Sequence, residues 1–193
     1  MGDSESVSVK SMQNVIRYNT VINNPGAQFV FRNGDNNVAY ANYVLGGSGG
    51  FRVKQANNIG IYNNYVEGYT SKSAAAPVGF DFVSEAFMQN ITVAHNTFVN
   101  VTSVDLCNGG PCKSPLQGVT FANNIFFQPA GPGSSKQPVF INRAQFVNGT
   151  LAFAGNMYYP TVGWKVSTIS THCWFRAHMA RCSCLPPAPR LGL

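Results

Sequence analysis

The chain has 193 residues, with 13 Lys and Arg against 7 Asp and Glu, and a net charge of +6. Charged residues make up 10%, well below the roughly 25% of ordinary soluble domains, while 45% hydrophobic content with 14 Phe is enough for a core. That balance excludes a disordered chain, and no apolar run approaches the ~20 residues of a membrane-spanning helix. Asparagine carries much of the polar role, with 21 residues, the last of them Asn156. The first five residues are polar and hold no secretory apolar segment.

Ser6-Val7-Ser8-Val9-Lys10 alternates, which predicts a strand with Val7 and Val9 inward and Lys10 outward with the serines. Val15-Ile16-Arg17-Tyr18 then leads into Asn19-Thr20-Val21. Phe29-Val30-Phe31-Arg32 repeats the first pattern, with Phe29 and Phe31 inward and Arg32 outward. The second pattern returns as Val38-Ala39-Tyr40-Ala41 before Asn42. Phe51-Arg52-Val53-Lys54 turns Arg52 and Lys54 outward, and Ile59-Gly60-Ile61-Tyr62-Asn63 runs into Asn64. Later copies are Ile91 to His95 before Asn96, Val119 to Asn123 before Asn124, and Leu151 to Gly155 before Asn156.

The intervals between these asparagines are 23, 22, 32, 28 and 32 residues. No helical periodicity competes, and short strands at a period near 22 with longer later excursions predict a parallel β-helix. Stacked on rungs about 4.8 Å apart, the asparagine amides can bond up and down an internal ladder. An antiparallel sandwich with ordinary turn asparagines explains six copies less well. His95 reads as a structural or surface histidine in a repeat strand. Gly46-Gly47-Ser48-Gly49-Gly50 reads as a turn between coils, since no helix follows it.

The charge is unevenly placed. Residues 1–164 hold nine Lys/Arg and all seven acids, a net of +2, while 165–193 hold four basic residues and no acid. The composition shifts near Trp164, which predicts a β-helix domain over 1–163. The remaining 164–193 form a non-repeat tail, expected to be disordered or non-native. The tail charge removes the argument for a nucleic-acid partner. Cys107 and Cys112 flank a turn-forming loop and are read either as a disulfide or as two thiols. His172, Cys173, His178, Cys182 and Cys184 match no standard zinc spacing. Because the chain opens inside a repeat and solenoids need caps, it is expected to be a fragment lacking N-terminal coils.

If each interval is one coil, Lys10, Arg32 and Arg52 stack on adjacent rungs as a cationic stripe suited to a polyanion. Asp3 and Glu5 offer hard oxygen ligands for Ca²⁺. Strict alternation puts Glu5 on the face opposite Lys10, so a bend between them is required if both serve one site.

The run Asp3-Ser4-Glu5-Ser6-Val7-Ser8-Val9-Lys10-Ser11, with Asn14 and Asn19-Thr20, resembles polysaccharide lyase family six, the alginate lyases and chondroitinase B-like enzymes. Phe31-Arg32-Asn33-Gly34, Gly49-Gly50-Phe51-Arg52-Val53 and Asn63-Asn64-Tyr65 are similar to the same pattern. The resemblance is dense over residues 3–69, weaker to about 160, and ends by 164. It implies a right-handed parallel β-helix, secreted or periplasmic and monomeric. Its expected activity is cleavage of an acidic uronate glycan, alginate above all or else dermatan or chondroitin sulfate. It also implies Lys10 as base, Arg32 as acid, Arg52 as a substrate contact, and Asp3 and Glu5 on Ca²⁺; Asn33 and Lys54, beside Arg32 and Arg52 in the chain, are expected to contact substrate as well. The chain departs from the family at Asn33, where histidine is usual, and at Asp3, where glutamate is common. The family's third metal ligand, an asparagine on an earlier coil, would precede Met1.

The implied chemistry fits these residue types. β-Elimination removes the C5 proton of a uronate, and a cation on the carboxylate stabilises the enediolate that develops. Lys10 works as a base only from its neutral form, which neighbouring positive charge favours. Arg32 stays protonated and is expected to act mainly electrostatically on the leaving O4. Two other readings share the fold: a non-catalytic carbohydrate-binding or inactive truncated β-helix, and a uronan epimerase or pectate-type enzyme.

Overall fold

A computed structural model describes residues 5–23, 28–47, 49–68, 78–83, 88–100, 103–105, 116–127, 140–141, 151–159 and 180–183. All regular elements among them are strands, and they fall into coils of three. Coil one holds β1 (Glu5–Val9), β2 (Val15–Arg17) and β3 (Thr20–Ile22). Coil two holds β4 (Gln28–Arg32), β5 (Val38–Tyr40) and β6 (Tyr43–Gly47), and coil three β7 (Gly49–Lys54), β8 (Ile59–Tyr62) and β9 (Tyr65–Gly68). Coil four has β10 (Val78–Val83), β11 (Met88–Ala94) and β12 (Thr97–Val99). Coil five has β13 (Ser103–Asp105), β14 (Leu116–Ala122) and β15 (Ile125–Phe127). Coil six has β16 (Phe140–Ile141) and the long β17 (Leu151–Tyr159), and β18 (Ala180–Ser183) follows.

Strands of like position pair in parallel from coil to coil, so the fold is an all-β parallel solenoid. The first sheet runs β1-β4-β7-β10-β13-β16. The second runs β2-β5-β8-β11-β14-β17, and the third runs β17-β15-β12-β9-β6-β3. β17 turns the corner between the second and third sheets without a break, so these two sheets are continuous in the last coil. The region expected to be irregular contributes one strand: β18 pairs antiparallel with β17. It covers an edge that would otherwise leave backbone groups unpaired. Cys182 lies in that strand. Cys107, Cys112, His172, Cys173, His178 and Cys184 lie outside the described residues.

Alternation explains the core. Inward residues of the first sheet are Phe29, Phe31, Phe51 and Val53, each at most 1% exposed. They meet Ala39, Ile61 and Val93 of the second sheet and Val44, Val66 and Phe98 of the third. Like residues stack on like: Phe98 on Phe126 at 5.0 Å and Phe121 on Phe153 at 5.4 Å, each pair tilted by 13°. Each fully buried Phe contributes about 1.5–3 kcal/mol over an exposed one.

The corner between the second and third sheets is set by a two-residue device. Tyr18, Ala41, Asn63, His95, Asn123 and Gly155 each take positive φ, between 51° and 61°. The next residue is in every case a ladder asparagine: Asn19, Asn42, Asn64, Asn96, Asn124 or Asn156. Positive φ turns the chain through the corner and aims the following side chain inward. From Asn42 on, each of these amides sits inside at 2% exposure or less. Its Oδ1 accepts from the backbone N–H and the amide of the preceding coil's asparagine, as from Asn42 to Asn64 at 3.0 and 2.9 Å. Its Nδ2 donates to a carbonyl of the preceding coil, as from Asn96 to Ile61 at 2.9 Å. A buried amide with both ends bonded costs nothing in lost solvation. His95 is exposed at its turn position, in line with the surface alternative of its reading.

The corner between the first and second sheets uses a second, looser set of amides. Gln13, Asn36, Asn58, Asn90 and Gly118 have positive φ there. Asn90 donates to Asn58 and Asn58 to Asn36, both at 3.0 Å, on the outside of the coil. Asn14 and Asn37, just before β2 and β5, form an inner pair instead, with Asn14 donating to Asn37 Oδ1 at 2.9 Å.

On the third sheet the Tyr65 hydroxyl donates to Glu67 Oε2 at 3.0 Å. Partial burial, then this bond and the carboxylate charge, raise the Tyr65 pKa above 10.0. Its contribution to stability is complete below the unfolded value of 10.0 and is lost as pH rises through the higher folded value. In a phenolate absorbance titration Tyr65 is expected to ionise later than a free tyrosine, and Glu67→Gln should bring its ionisation to lower pH. An unchanged titration in that variant would rule out the carboxylate as a cause.

Candidate functional site

The cationic residues gather on the outward face of the first sheet, at the C-terminal ends of its first three strands. Register decides which of them are neighbours. Val9 pairs with Phe31, and Phe31 with Val53, so Lys10 and Arg32 each follow a paired couple, and Arg32 pairs directly with Lys54. The column across coils one to three is thus Lys10, Arg32, Lys54. Arg52 lies two residues earlier, opposite Val30 and one column inward from the strand end. This corrects the expected stack of Lys10, Arg32 and Arg52: all share the outward face, but Lys54 takes the place next to Arg32. The spacing of 22 residues from Asn42 to Asn64, applied to Arg32, leads to residue 54.

The bend needed at Glu5 is present. Glu5 pairs with Gln28 but Val7 pairs with Phe29, so Ser6 is an extra residue in β1, a β-bulge. The bulge reverses the alternation upstream of Val7 and brings Glu5 onto the outward face with Lys10 and Arg32. Glu5 Oε1 accepts from Arg32 Nη1 at 3.1 Å, with Glu5 10% and Arg32 39% exposed. The register offset is four residues, so the Arg32 and Glu5 side chains lean toward each other and together bridge about 13 Å of strand.

The pair is partly open to solvent, and its own stability contribution is at most about 1 kcal/mol. Asp3 lies outside the described residues. No group of three or more His, Cys, Asp or Glu that could hold a metal occurs among the described residues. Glu5 alone, bonded to Arg32, does not make a cation site.

Lys10 is exposed, and the turn that follows it is strapped to the next coil. Asn37 is fully buried and donates to Ser11 O at 3.0 Å and Gly34 O at 2.8 Å. Asn14 donates to Ser11 O at 2.9 Å and to Asn37 Oδ1 at 2.9 Å. Gln13 N donates to Asp35 O at 3.1 Å. Gly34 is needed because a Cβ there would overlap the Ser11 carbonyl oxygen. We expect Gly34→Ala to push the Lys10–Ser11 backbone away and to destabilise the fold by about 1–3 kcal/mol. Urea unfolding checks this, and a midpoint equal to the parent's would show that the turn yields without cost.

Asn33 is exposed with φ of 61°. Its N–H donates to Lys54 O at 3.1 Å and its amide to Gln55 Oε1 at 3.1 Å. The side chain therefore closes the turn beside Arg32 while staying at the edge of the cationic face. Beyond coil three the column of Arg52 continues with acids: Asp81 pairs with Arg52 and Asp105 with Asp81. Among the described residues of this sheet the positive stretch lies on coils one to three. Sequence reasoning overlooked these two acids, although the repeat spacing could have aligned them.

Fold and site together define a parallel β-helix protein with a short cationic stretch on its first sheet. No family model, no curated protein and no solved structure matches the chain.

Proposed function

We propose that the protein is a polysaccharide lyase that cleaves an acidic, uronate-containing glycan, alginate foremost, by β-elimination. The observation that carries this reading is the column Lys10, Arg32, Lys54 with Arg52 on the same face of one parallel sheet. Rungs about 4.8 Å apart match charges that repeat along a sugar chain. The resemblance of residues 3–69 to polysaccharide lyase family six supplies the roles. Lys10 takes the C5 proton. The C–H electron pair forms the C4–C5 double bond as the C4–O4 bond breaks, and O4 leaves with a proton from water or a neighbouring group. Arg32 and Arg52 offer charge to the carboxylate and the leaving oxygen, and Lys54 extends the contact to the next sugar unit. No step is routed through Ca²⁺, since the described donors do not form a site for it.

A second reading is favoured by one contact. Arg32 is already paired with Glu5, as suits a β-helix that binds an acidic glycan without cutting it. Incubation with alginate or dermatan sulfate, with and without Ca²⁺, separates the two. New ultraviolet absorbance from the unsaturated uronate supports the lyase. Retention on the polymer with no such absorbance supports the binder and sinks the lyase.

A further inference from the structure

The exterior of the buried-asparagine corner carries an aromatic surface that the elimination chemistry leaves unused. Tyr40 and Tyr62 end β5 and β8, Tyr43 and Tyr65 begin β6 and β9, and Tyr18 sits in the first-coil turn. Five of the chain's eight tyrosines thus border one corner, all within coils one to three. Tyr18 is 72% and Tyr43 54% exposed, so the core does not account for them. The rings are ordered against one another. Tyr43 and Tyr65 lie 5.9 Å apart at 35°, and Tyr18 meets Tyr40 edge-on at 5.8 Å. Arg17 Nη1 donates to the Tyr40 hydroxyl at 2.6 Å, and its guanidinium lies 5.5 Å from the Tyr18 ring centre and 5.8 Å from that of Tyr40. The Tyr62 ring fills the space over Gly60, where a Cβ would overlap it.

We propose that this corner is a second glycan-binding surface, holding a uronate-bearing polysaccharide strand along the solenoid axis on the side away from the Lys10–Arg32–Lys54 face. The corner joins the second and third sheets and so is the one that does not border the first sheet. Tyrosines one coil apart are spaced by about the length of one pyranose unit. The exposed rings of Tyr18 and Tyr43 suit the C–H side of the sugar, whereas the Tyr40 and Tyr65 hydroxyls are already bonded to Arg17 and Glu67. Arg17, fixed between two rings, supplies the charge complement for a carboxylate. Exposed aromatic surface rimmed by polar groups marks an interaction site. A single row of rings along one corner suits a strand-like ligand better than the roughly 800 Å² per partner of a protein interface. The choice of a uronate polymer rests on the proposed function, whereas the surface itself is separate from that site.

Affinity electrophoresis through alginate gels tests it, using a Lys10→Ala/Arg32→Ala/Arg52→Ala/Lys54→Ala background in which cleavage and the first face are both disabled. Retention of this background is expected to persist. Adding Tyr43→Ala/Tyr65→Ala should weaken apparent affinity about tenfold, while Tyr43→Phe/Tyr65→Phe keeps it within about twofold because the rings remain. Equal melting temperatures across the set would show that folding is not the cause. A background that alginate does not retard, or retention indifferent to the tyrosines, overturns the proposal. So does a dimer that the alanine pair dissolves. Unsaturated product from the parent protein without retention of the background removes this surface and leaves the lyase. Tyrosine-dependent retention without product does the reverse.

Discussion

Asn64→Ala is expected to lower the stability of the protein by about 3–5 kcal/mol, a large share of the 5–15 kcal/mol of an ordinary domain. Asn64 is 2% exposed and stands in the middle of the ladder. Its Oδ1 accepts from Asn42 N and Asn42 Nδ2 at 3.0 and 2.9 Å, and its Nδ2 donates to Ala39 O and Asn96 Oδ1 at 3.1 and 3.0 Å. Alanine removes four hydrogen bonds and leaves the Asn42 N–H buried without an acceptor. Few single changes strand so many polar groups far from water. Asn19→Ala is the internal control. Asn19 is exposed, its amide donates only to Arg17 O and Asn42 Oδ1, and the loss should be near 1 kcal/mol. Urea unfolding of both variants reads the difference. Equal midpoints would mean that burial adds nothing to the ladder.

On the proposed lyase reading, Lys10→Ala is expected to reduce kcat on alginate by about 10³-fold, within the range for removal of a general base. The sharper variant is Lys10→Arg. Arginine keeps the charge and much of the reach but cannot give up its proton, so a base role predicts that it is about as inactive as alanine. A purely electrostatic role predicts that Lys10→Arg retains most of the activity, with KM little changed. Activity within about tenfold of the parent in Lys10→Arg would remove Lys10 from the base role. The turn that holds Lys10 gives the experiment its footing. Ser11 is tied to Asn14 and Asn37, so a change at the side chain leaves the backbone around it in place.

Much of this molecule is legible in the order of its residues. Alternation at Ser6–Lys10, Phe29–Arg32 and Phe51–Lys54 told inside from outside, because side chains on a strand change face at every residue. The recurring asparagines gave the coils and the inner ladder, because only a repeat can place the same amide at the same corner. Two features were harder to read. The Ser6 bulge was required by the chemistry assigned to Glu5 and Lys10, yet nothing in the run Glu5-Ser6-Val7 marks which residue is extra. The tyrosine corner was hidden because its members belong to two different sheets and are adjacent only around a turn.

The low charge with a surplus of +6 thus divides by cause. The sequence by itself determined an all-β repeat, its inward and outward faces and the ladder residues, since these depend on local period alone. Tertiary structure alone decided that Glu5 reaches Arg32 and that five tyrosines share one corner, and it fixed beside Arg32 the Lys54 to which the 22-residue spacing already leads. The physical reason is register. Which residues meet across rungs depends on the number of residues consumed at each turn and bulge, and one residue more or less shifts every contact downstream.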